Sequence, residues 1–201
     1  MLITLLFSSP LSFVLISVGL LLAITIHEFA HAWVANKLGD PTAELMGRVT
    51  LNPLAHLDPV GTIALLLIGF GWGKPVPFDP FNLENPRKDS AMIALAGPVS
   101  NIILLIILTP IYRMTGLSVL EPIMYINLVL ALFNLIPVYP LDGFKIVGGL
   151  LPEDQSEEWQ SLQRYGMYFL IFMILPIFNG ASLVSYLLTP LLDNILGFLL
   201  G

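Results

Sequence analysis

The run HEFAH at residues 27–31 combines two histidines with an acidic residue at the end of an apolar stretch. On an α-helix, residues four apart project from the same face, so His27 and His31 can reach one metal ion. A zinc ion held by two histidines and one carboxylate keeps a fourth position for water and lowers the pKa of that water toward roughly 7. Glu28 lies next to the same face, where it can accept the proton. The pattern predicts a hydrolytic zinc centre with Glu28 as the catalytic base.

The third metal ligand should be acidic, because the chain has no cysteine. The candidates are Asp58, Asp79, Glu84 and Asp142. Asp142 is the best placed, since it follows the third predicted membrane helix at the depth of the histidine pair. The prolines and the glycine around it suit a rigid turn that aims one side chain at a fixed point, although such a turn can also use an aspartate for its own structure. We predict one zinc ion per chain, bound by His27, His31 and Asp142.

The composition is that of a membrane protein. Of the 201 residues, 56% are hydrophobic and 11% are charged, and the mean hydropathy is +0.86. Several apolar runs approach the roughly 20 residues that a spanning helix needs. These runs cover residues 11–26, 91–111, 123–136, 165–178 and 183–200. We predict an all-α membrane protein, a polytopic bundle of four to five spanning helices within the lipid bilayer. The scattered basic residues exclude a nucleic-acid partner.

The basic residues are distributed unevenly between the predicted connections. Five of the eight lie between the first and second long helices, two lie around the loop after the third helix, and one lies in the remaining connection. By the positive-inside rule, segments 37–88 and 138–164 face the cytoplasm, and the N-terminus lies outside. No basic residue precedes the first apolar run and no cleavage site follows it, so we interpret it as a retained helix. That helix can extend from Pro10 to Lys37, which places the HEFAH run near its cytoplasmic end.

The connection over residues 41–88 is rich in proline, glycine and asparagine. Alternating stretches at 47–51 and 75–81 predict a small β element at the membrane surface. The apolar stretch 60–70 is too short to span a bilayer, and we expect a re-entrant or interfacial segment there. The second long helix is predicted to open at Asp89 or Ser90.

Small and polar residues form two stripes within the apolar helices. The stripes consist of Ala94, Gly97 and Asn101 and, in the next helix, of Asn127, Ala131 and Asn134. Two inward stripes predict one shared polar interior, in which Asn101 and Asn127 are more typical of helix–helix contacts than of substrate contacts. We interpret residues 1–201 as a single membrane-embedded domain. Its catalytic core covers about 11–145, and a C-terminal helical hairpin covers about 161–200.

Four sequence blocks resemble the site-2 protease family of intramembrane zinc metalloproteases, in a minimal form without a PDZ or CBS domain. The blocks are HEFAH at 27–31, GRVTLNP at 47–53 continuing to HLDPVG at 56–61, AGPVSN at 96–101, and NLIPVYPLDG at 134–143. The resemblance implies that His27, His31 and Asp142 bind zinc, that Glu28 is the base, and that three helices form the catalytic core. It also implies that Asn134 orients the substrate or stabilises the oxyanion. His56 lies in the matching loop block, where a catalytic and a structural role are both open.

The expected activity is hydrolysis of peptide bonds in or near transmembrane segments of membrane-anchored client proteins, at the cytoplasmic side of the bilayer. An unwound client segment could pair with an edge strand at 47–51 or 75–81. The alternative is a catalytically silent membrane protein with a structural zinc site, which would not need Glu28. An ion transporter is a third class, but it would distribute ionisable residues across the bilayer depth, whereas here they cluster at one level.

Overall fold

The computed structural model describes residues 2–177 and 179–201. The α-helices are α1 (Leu2–Ser8), α2 (Pro10–Lys37), α3 (Thr42–Leu45), α4 (Pro59–Ile68), α5 (Pro86–Thr115), α6 (Leu120–Asn134), α7 (Asp142–Leu150), α8 (Glu153–Ser161), α9 (Gln163–Ile174) and α10 (Leu183–Leu200). Short 3₁₀ turns occupy Pro53–Ala55 and Pro80–Asn82. The prediction of an all-α membrane protein is confirmed for this part of the chain.

The number of spanning helices differs from the prediction. Within the described residues, the helices that are long and apolar enough to cross a membrane are three, namely α2, α5 and α10. Helix α6 has 15 residues and α9 has 12, so at about 1.5 Å per residue both are shorter than the roughly 30 Å of a bilayer core. Four to five spans are therefore not confirmed. Phe178, where we expected the apolar run of α9 to end, lies outside the described residues.

The two longest helices both begin at a proline, which follows Ser9 in α2 and Asn85 in α5. Helix α2 runs from Pro10 to Lys37 as predicted, although the Ser9 hydroxyl pairs with Ser12 Oγ instead of capping the main chain. Helix α5 begins at Pro86, three residues before the earliest predicted start. Asn85 accepts a hydrogen bond from Lys88 N, and Asp89 accepts one from Asn85 N at 2.7 Å. This reciprocal capping is the signal that the prediction missed.

The predicted β element is not formed. Among residues 2–177 and 179–201 no strand is formed, and an isolated antiparallel bridge joins Leu57 to Gly73. Residues 75–81 contain three prolines, which have no amide hydrogen to donate to a ladder. The stretch 47–51 starts at Gly47 in a left-handed conformation, with φ of +67°. The apolar stretch that we expected to be re-entrant or interfacial forms the ten-residue helix α4.

Helices α2, α5 and α6 pack against one another, and α7 packs on α5. Buried alanines such as Ala23, Ala94 and Ala131 line these contacts and allow the helices to approach closely. Gly19 of α2 illustrates the spacing, because a Cβ there would lie 3.3 Å from the Cα of Ile123 on α6. Larger side chains of α5, α6 and α10 form a separate apolar cluster, whose buried members are Leu105, Met124, Leu128, Leu188 and Leu192. The buried side chains of His27, Asn101 and Asn127 thus lie where α2, α5 and α6 meet.

Candidate metal centre

His27 and His31 of α2 meet Asp142, the first residue of α7. The Nε2 atoms of the two histidines lie 3.1 Å and 3.2 Å from the same oxygen, Asp142 Oδ2. The three side chains are 5%, 9% and 13% exposed, respectively. They form a group of potential ligand atoms within 4.8 Å of one another. Ligands bonded at about 2.0–2.2 Å to a tetrahedral zinc ion lie roughly 3.3 Å apart, so the spacing fits that ion.

The hydrogen bonds of the two imidazoles determine which nitrogen faces Asp142. His31 Nδ1 lies 2.7 Å from the carbonyl oxygen of Ile93, and His27 Nδ1 lies 2.8 Å from Asn101 Oδ1. Both partners are acceptors, so both Nδ1 atoms must carry a hydrogen. In neutral imidazoles both Nε2 atoms then present lone pairs to a carboxylate. A metal ion bound between them would satisfy all three groups.

The bond from His27 continues through two further buried side chains. Asn101 Nδ2 donates to Ala23 O at 3.1 Å and to Asn127 Oδ1 at 2.8 Å. Asn127 Nδ2 donates to Ile123 O at 2.8 Å. Because the series ends on main-chain carbonyl groups, which only accept, the orientation of both amides is determined. Helices α2, α5 and α6 together therefore hold the ring of His27.

Gly97 of α5 leaves the space beside the three ligand atoms. A Cβ at this position would lie 2.6 Å from His27 Nε2 and nearer still to His31 Nε2. Any side chain there would occupy the volume that a metal ion needs. The residues present therefore fit a metal ion both in their donor atoms and in the room between them.

Asp142 is positioned by the turn that joins α6 to α7. A Cβ at Gly143 would lie 2.5 Å from Ile136 O, so only glycine lets the turn pack onto the end of α6. Burial opposes a charge on Asp142, but His31 and His27 beside it lower the pKa of its carboxyl below the usual range. The group that faces the imidazoles is thus a carboxylate.

Glu28 lies beside the three ligands and is not one of them. Its Oε2 accepts a hydrogen bond from Val76 N at 3.1 Å. The segment that carries Val76 also passes the other oxygen, since a Cβ at Gly73 would lie 3.8 Å from Glu28 Oε1. The loop after α4 therefore covers the side chain that we predicted to be the base.

The other predicted site residues are not in the group of three ligands. Asn134 Nδ2 donates to Leu130 O at 3.0 Å, within its own helix. His56 is fully buried, and its ring contacts Thr50 O and the guanidinium of Arg48. Two of the alternative acidic ligands cap short helices, since Asp58 accepts from Gly61 N and Asp79 accepts from Phe81 N. Glu84 is exposed.

Three contributors to the site were missed from the sequence. We interpreted Asn101 as a helix–helix contact, Gly97 as a small residue for close packing, and Arg48 as a topology determinant. The first two share the helical face of Ala94, and this inward face was the available signal. Arg48 stands in the block GRVTLNP, which carried part of the family resemblance, but the sequence of this irregular segment did not indicate which groups Arg48 contacts.

A family model and several known relatives match this chain, and all of them are metallopeptidases. The model of peptidase family M50 matches residues 15–125 and 113–177. YwhC of Bacillus subtilis, named as a candidate zinc metalloprotease, is 42% identical over 190 residues, which are 88% of this chain and 84% of YwhC. Rip2 of Mycolicibacterium smegmatis, named in the same way, is 31% identical over 82% of this chain and 67% of Rip2. A zinc metalloprotease of Methanocaldococcus jannaschii is 26% identical over 66% of this chain and 33% of that protein. No solved structure gives a significant match.

Proposed function

Because this chain belongs to peptidase family M50 and is a zinc metalloprotease, we propose that it hydrolyses peptide bonds in or near transmembrane segments of membrane-anchored client proteins. The observation that carries the proposal is the grouping of His27, His31 and Asp142, with Glu28 beside them, among helices apolar enough to span a bilayer. A substrate of such a centre approaches from within the membrane or along its surface.

In the proposed reaction, His27, His31 and Asp142 hold one zinc ion. When bound, the ion supplies a Lewis acid that polarises water and the scissile carbonyl. Glu28 accepts a proton from the water and later donates it to the leaving amine. Since Val76 N–H occupies Oε2 of Glu28, we assign the proton transfer to Oε1.

The active site is proposed to open toward the cytoplasm. His31 stands six residues before the end of α2 at Lys37, which corresponds to about 9 Å along the helix axis. Five of the eight basic residues lie between this end of α2, at Lys37, and the first turn of α5, and by the positive-inside rule they mark the cytoplasmic side. Water for hydrolysis would reach the ligands from there.

A helical client hides its scissile carbonyl in an internal hydrogen bond, so the segment must unwind before it is cut. The pairing with an edge strand, which the sequence suggested, has no strand to use in the described residues. The carbonyl groups of Lys74 and Pro75 already accept from Arg48. Asn134 remains our proposed contact for the substrate carbonyl, and its amide would exchange the bond to Leu130 O for that contact.

The decisive experiment compares wild type with Glu28→Gln on a panel of single-span substrates in detergent. We expect cleavage to fall by at least about 100-fold, the contribution typical of a general base, while the zinc content stays at one ion per chain. Glu44→Gln is the matched control, because Glu44 is an exposed glutamate that accepts from Asn36. Zinc binding by the wild type without cleavage of any substrate would favour the structural zinc site instead.

A further inference from the structure

Arg48 is a buried cation close to the proposed base. The residue is 3% exposed, and a charge removed from water must be compensated by good hydrogen bonds or by an opposite charge. Its Nη2 donates to Lys74 O at 2.6 Å, and its Nη1 donates to Pro75 O at 3.0 Å. The guanidinium therefore grips two successive carbonyl groups of the loop that covers Glu28.

His56 holds the guanidinium from the other side. His56 Nε2 lies 2.8 Å from Thr50 O, which can only accept, so this nitrogen carries the hydrogen. His56 Nδ1 is then an acceptor, and it lies 3.5 Å from Arg48 Nη2. The orientation of Arg48 is thus set by a fully buried imidazole and by two main-chain oxygens.

A single peptide group connects Arg48 to Glu28. Pro75 O and Val76 N belong to the same planar peptide unit, and this unit is not among the cis bonds of the described chain. Arg48 binds the oxygen of this unit, and the N–H at its other end donates to Glu28 Oε2 at 3.1 Å. A cation at the oxygen polarises the peptide and strengthens its N–H as a donor.

Anchoring the loop does not by itself account for an arginine here. Arg48 Nε is buried and has no hydrogen-bond partner in the part of the chain that the structure describes. A buried donor without a partner reduces stability. Burial also lowers the pKa of the guanidinium, and Glu28 is the opposite charge that counteracts this effect. Glu28 is therefore the charge that compensates the buried guanidinium.

We propose that Arg48 is a positioning residue, which acts through the Pro75–Val76 peptide to hold the carboxylate of Glu28 for proton transfer. The role rests on the proposed function, because it assigns Glu28 to the reaction. It predicts a loss in turnover rather than in zinc binding or substrate affinity, since Arg48 contacts none of the three metal ligands.

The first test measures kcat per bound zinc, KM and zinc content for Arg48→Gln and Arg48→Lys. We expect Arg48→Gln to lower kcat by about 10-fold or more, as for other losses of positioning, with KM changed less than about twofold. Arg48→Lys should have a kcat between those of wild type and Arg48→Gln, since an ammonium group keeps the charge but cannot bind two carbonyl groups as a guanidinium does. Arg113→Gln is the matched control, because Arg113, at the far end of α5, also donates to two successive carbonyl groups, those of Phe198 and Leu199 of α10.

A double variant tests the route through the peptide. Val76→Pro removes the N–H that reaches Glu28 and keeps the carbonyl that Arg48 binds. If Arg48 acts through this N–H, Arg48→Gln should cost little further kcat in the Val76→Pro background. If the fold-losses in kcat of Arg48→Gln and Val76→Pro multiply in the double variant, the proposed route is overturned.

Amide hydrogen exchange decides the question without any substrate. We expect the Val76 amide to exchange faster in Arg48→Gln and in Glu28→Ala than in wild type, and to stay unchanged in Arg113→Gln. An unchanged Val76 amide in Arg48→Gln would overturn the positioning role, as would wild-type kcat in that variant. If the wild type cleaves nothing while the exchange result holds, the proposed function fails and the contact of Arg48 with the Glu28 loop stands.

Discussion

His27 and Glu28 are adjacent in sequence, but different kinds of structure support them. The ring of His27 is held by Asn101 and Asn127, two buried amides on α5 and α6, in a series that ends on main-chain carbonyl groups. Each group in this series stands on a packed helix. Glu28 is held by one N–H of an irregular loop, which is in turn gripped by Arg48.

The difference matches the roles that we propose for the two residues. A metal ligand has to keep its position whether or not substrate is present, and rigid helices provide this. A general base has to face a water molecule and a leaving group at different times, so support from a loop leaves it some freedom. We therefore expect substitutions on the helix side, which comprises His27 with Asn101 and Asn127, to change metal affinity. Substitutions on the loop side, which comprises Glu28 with Val76 and Arg48, should change turnover.

The largest effect should come from Gly97→Ala on the helix side. The added Cβ would lie 2.6 Å from His27 Nε2, so it would displace either the imidazoles or the ion. We expect zinc affinity to fall by at least about 100-fold, the upper end of what changes around metal ligands cost. Competition with a chromophoric chelator in detergent measures it.

Gly197→Ala is the matched control for this substitution. Gly197 also lies within a helix, and nothing stands within 4 Å of a Cβ there. The exchange should leave zinc affinity unchanged and raise stability slightly, by about 0.5–1 kcal/mol. Equal zinc affinity in both glycine variants would contradict the assignment of the space beside Gly97 to a metal ion.

A smaller effect on the same side is expected from Asn101→Leu. His27 would lose the acceptor that orients its ring, and we expect zinc to bind about 10-fold to 100-fold more weakly. Asn127→Leu should weaken binding less, because Asn127 acts on His27 through Asn101. Asn194→Leu on the exposed face of α10 serves as the control.

This series also tests the division between the two regions. Arg48→Gln on the loop side should leave zinc affinity within about twofold of wild type, because its contacts do not include a metal ligand. If Arg48→Gln lost as much zinc affinity as Asn101→Leu, both regions would act on the metal together.

The helix side could be predicted from sequence because its geometry is periodic. Residues four apart share a helical face, so the pairing of His27 with His31 follows from their spacing alone. Gly97 and Asn101 share a face in the same way, and an inward polar stripe was predicted there. The direct partner of each histidine could not be derived, since that depends on how far each helix is rotated about its axis.

The loop side could not be predicted in the same way. The alternation at 75–81 favoured a strand, but the prolines in that stretch cannot donate hydrogen bonds to a ladder. Arg48 instead donates to the carbonyl group of Lys74, just before this stretch. A side chain thus replaces the strand partner that the pattern suggested. Contacts of this kind depend on two irregular segments about 26 residues apart in the chain, for which sequence periodicity carries no information.

The smallest expected effect concerns Asp40, which ties the end of α2 to the loop side. Its fully buried carboxylate accepts hydrogen bonds from Thr42 N and Oγ1, from Asn82 Nδ2 and from Asp79 N. Burial alone would raise the pKa of Asp40, but these four donors lower it below its ordinary value. The unfolded chain has the ordinary pKa of about 3.9. The carboxylate therefore contributes stability above that pH, and this contribution is lost as the pH falls through the lower pKa of the folded state.

Asp40→Asn should consequently lower the thermal midpoint at pH 7, because an amide NH₂ would face one of the four donors. A buried donor left without an acceptor costs about 1–3 kcal/mol. The difference from wild type should shrink as the pH falls below about 4, where the unfolded chain takes up a proton, and vanish below the lower pKa of the folded carboxyl. Asp193→Asn, at an exposed position of α10, should change neither value.

Thermal unfolding in detergent across this pH range decides between two interpretations. A difference that persists at low pH would show that Asp40 supports the loop side by its shape, whereas a shrinking difference would show that the loop side depends on the ionised carboxylate of Asp40.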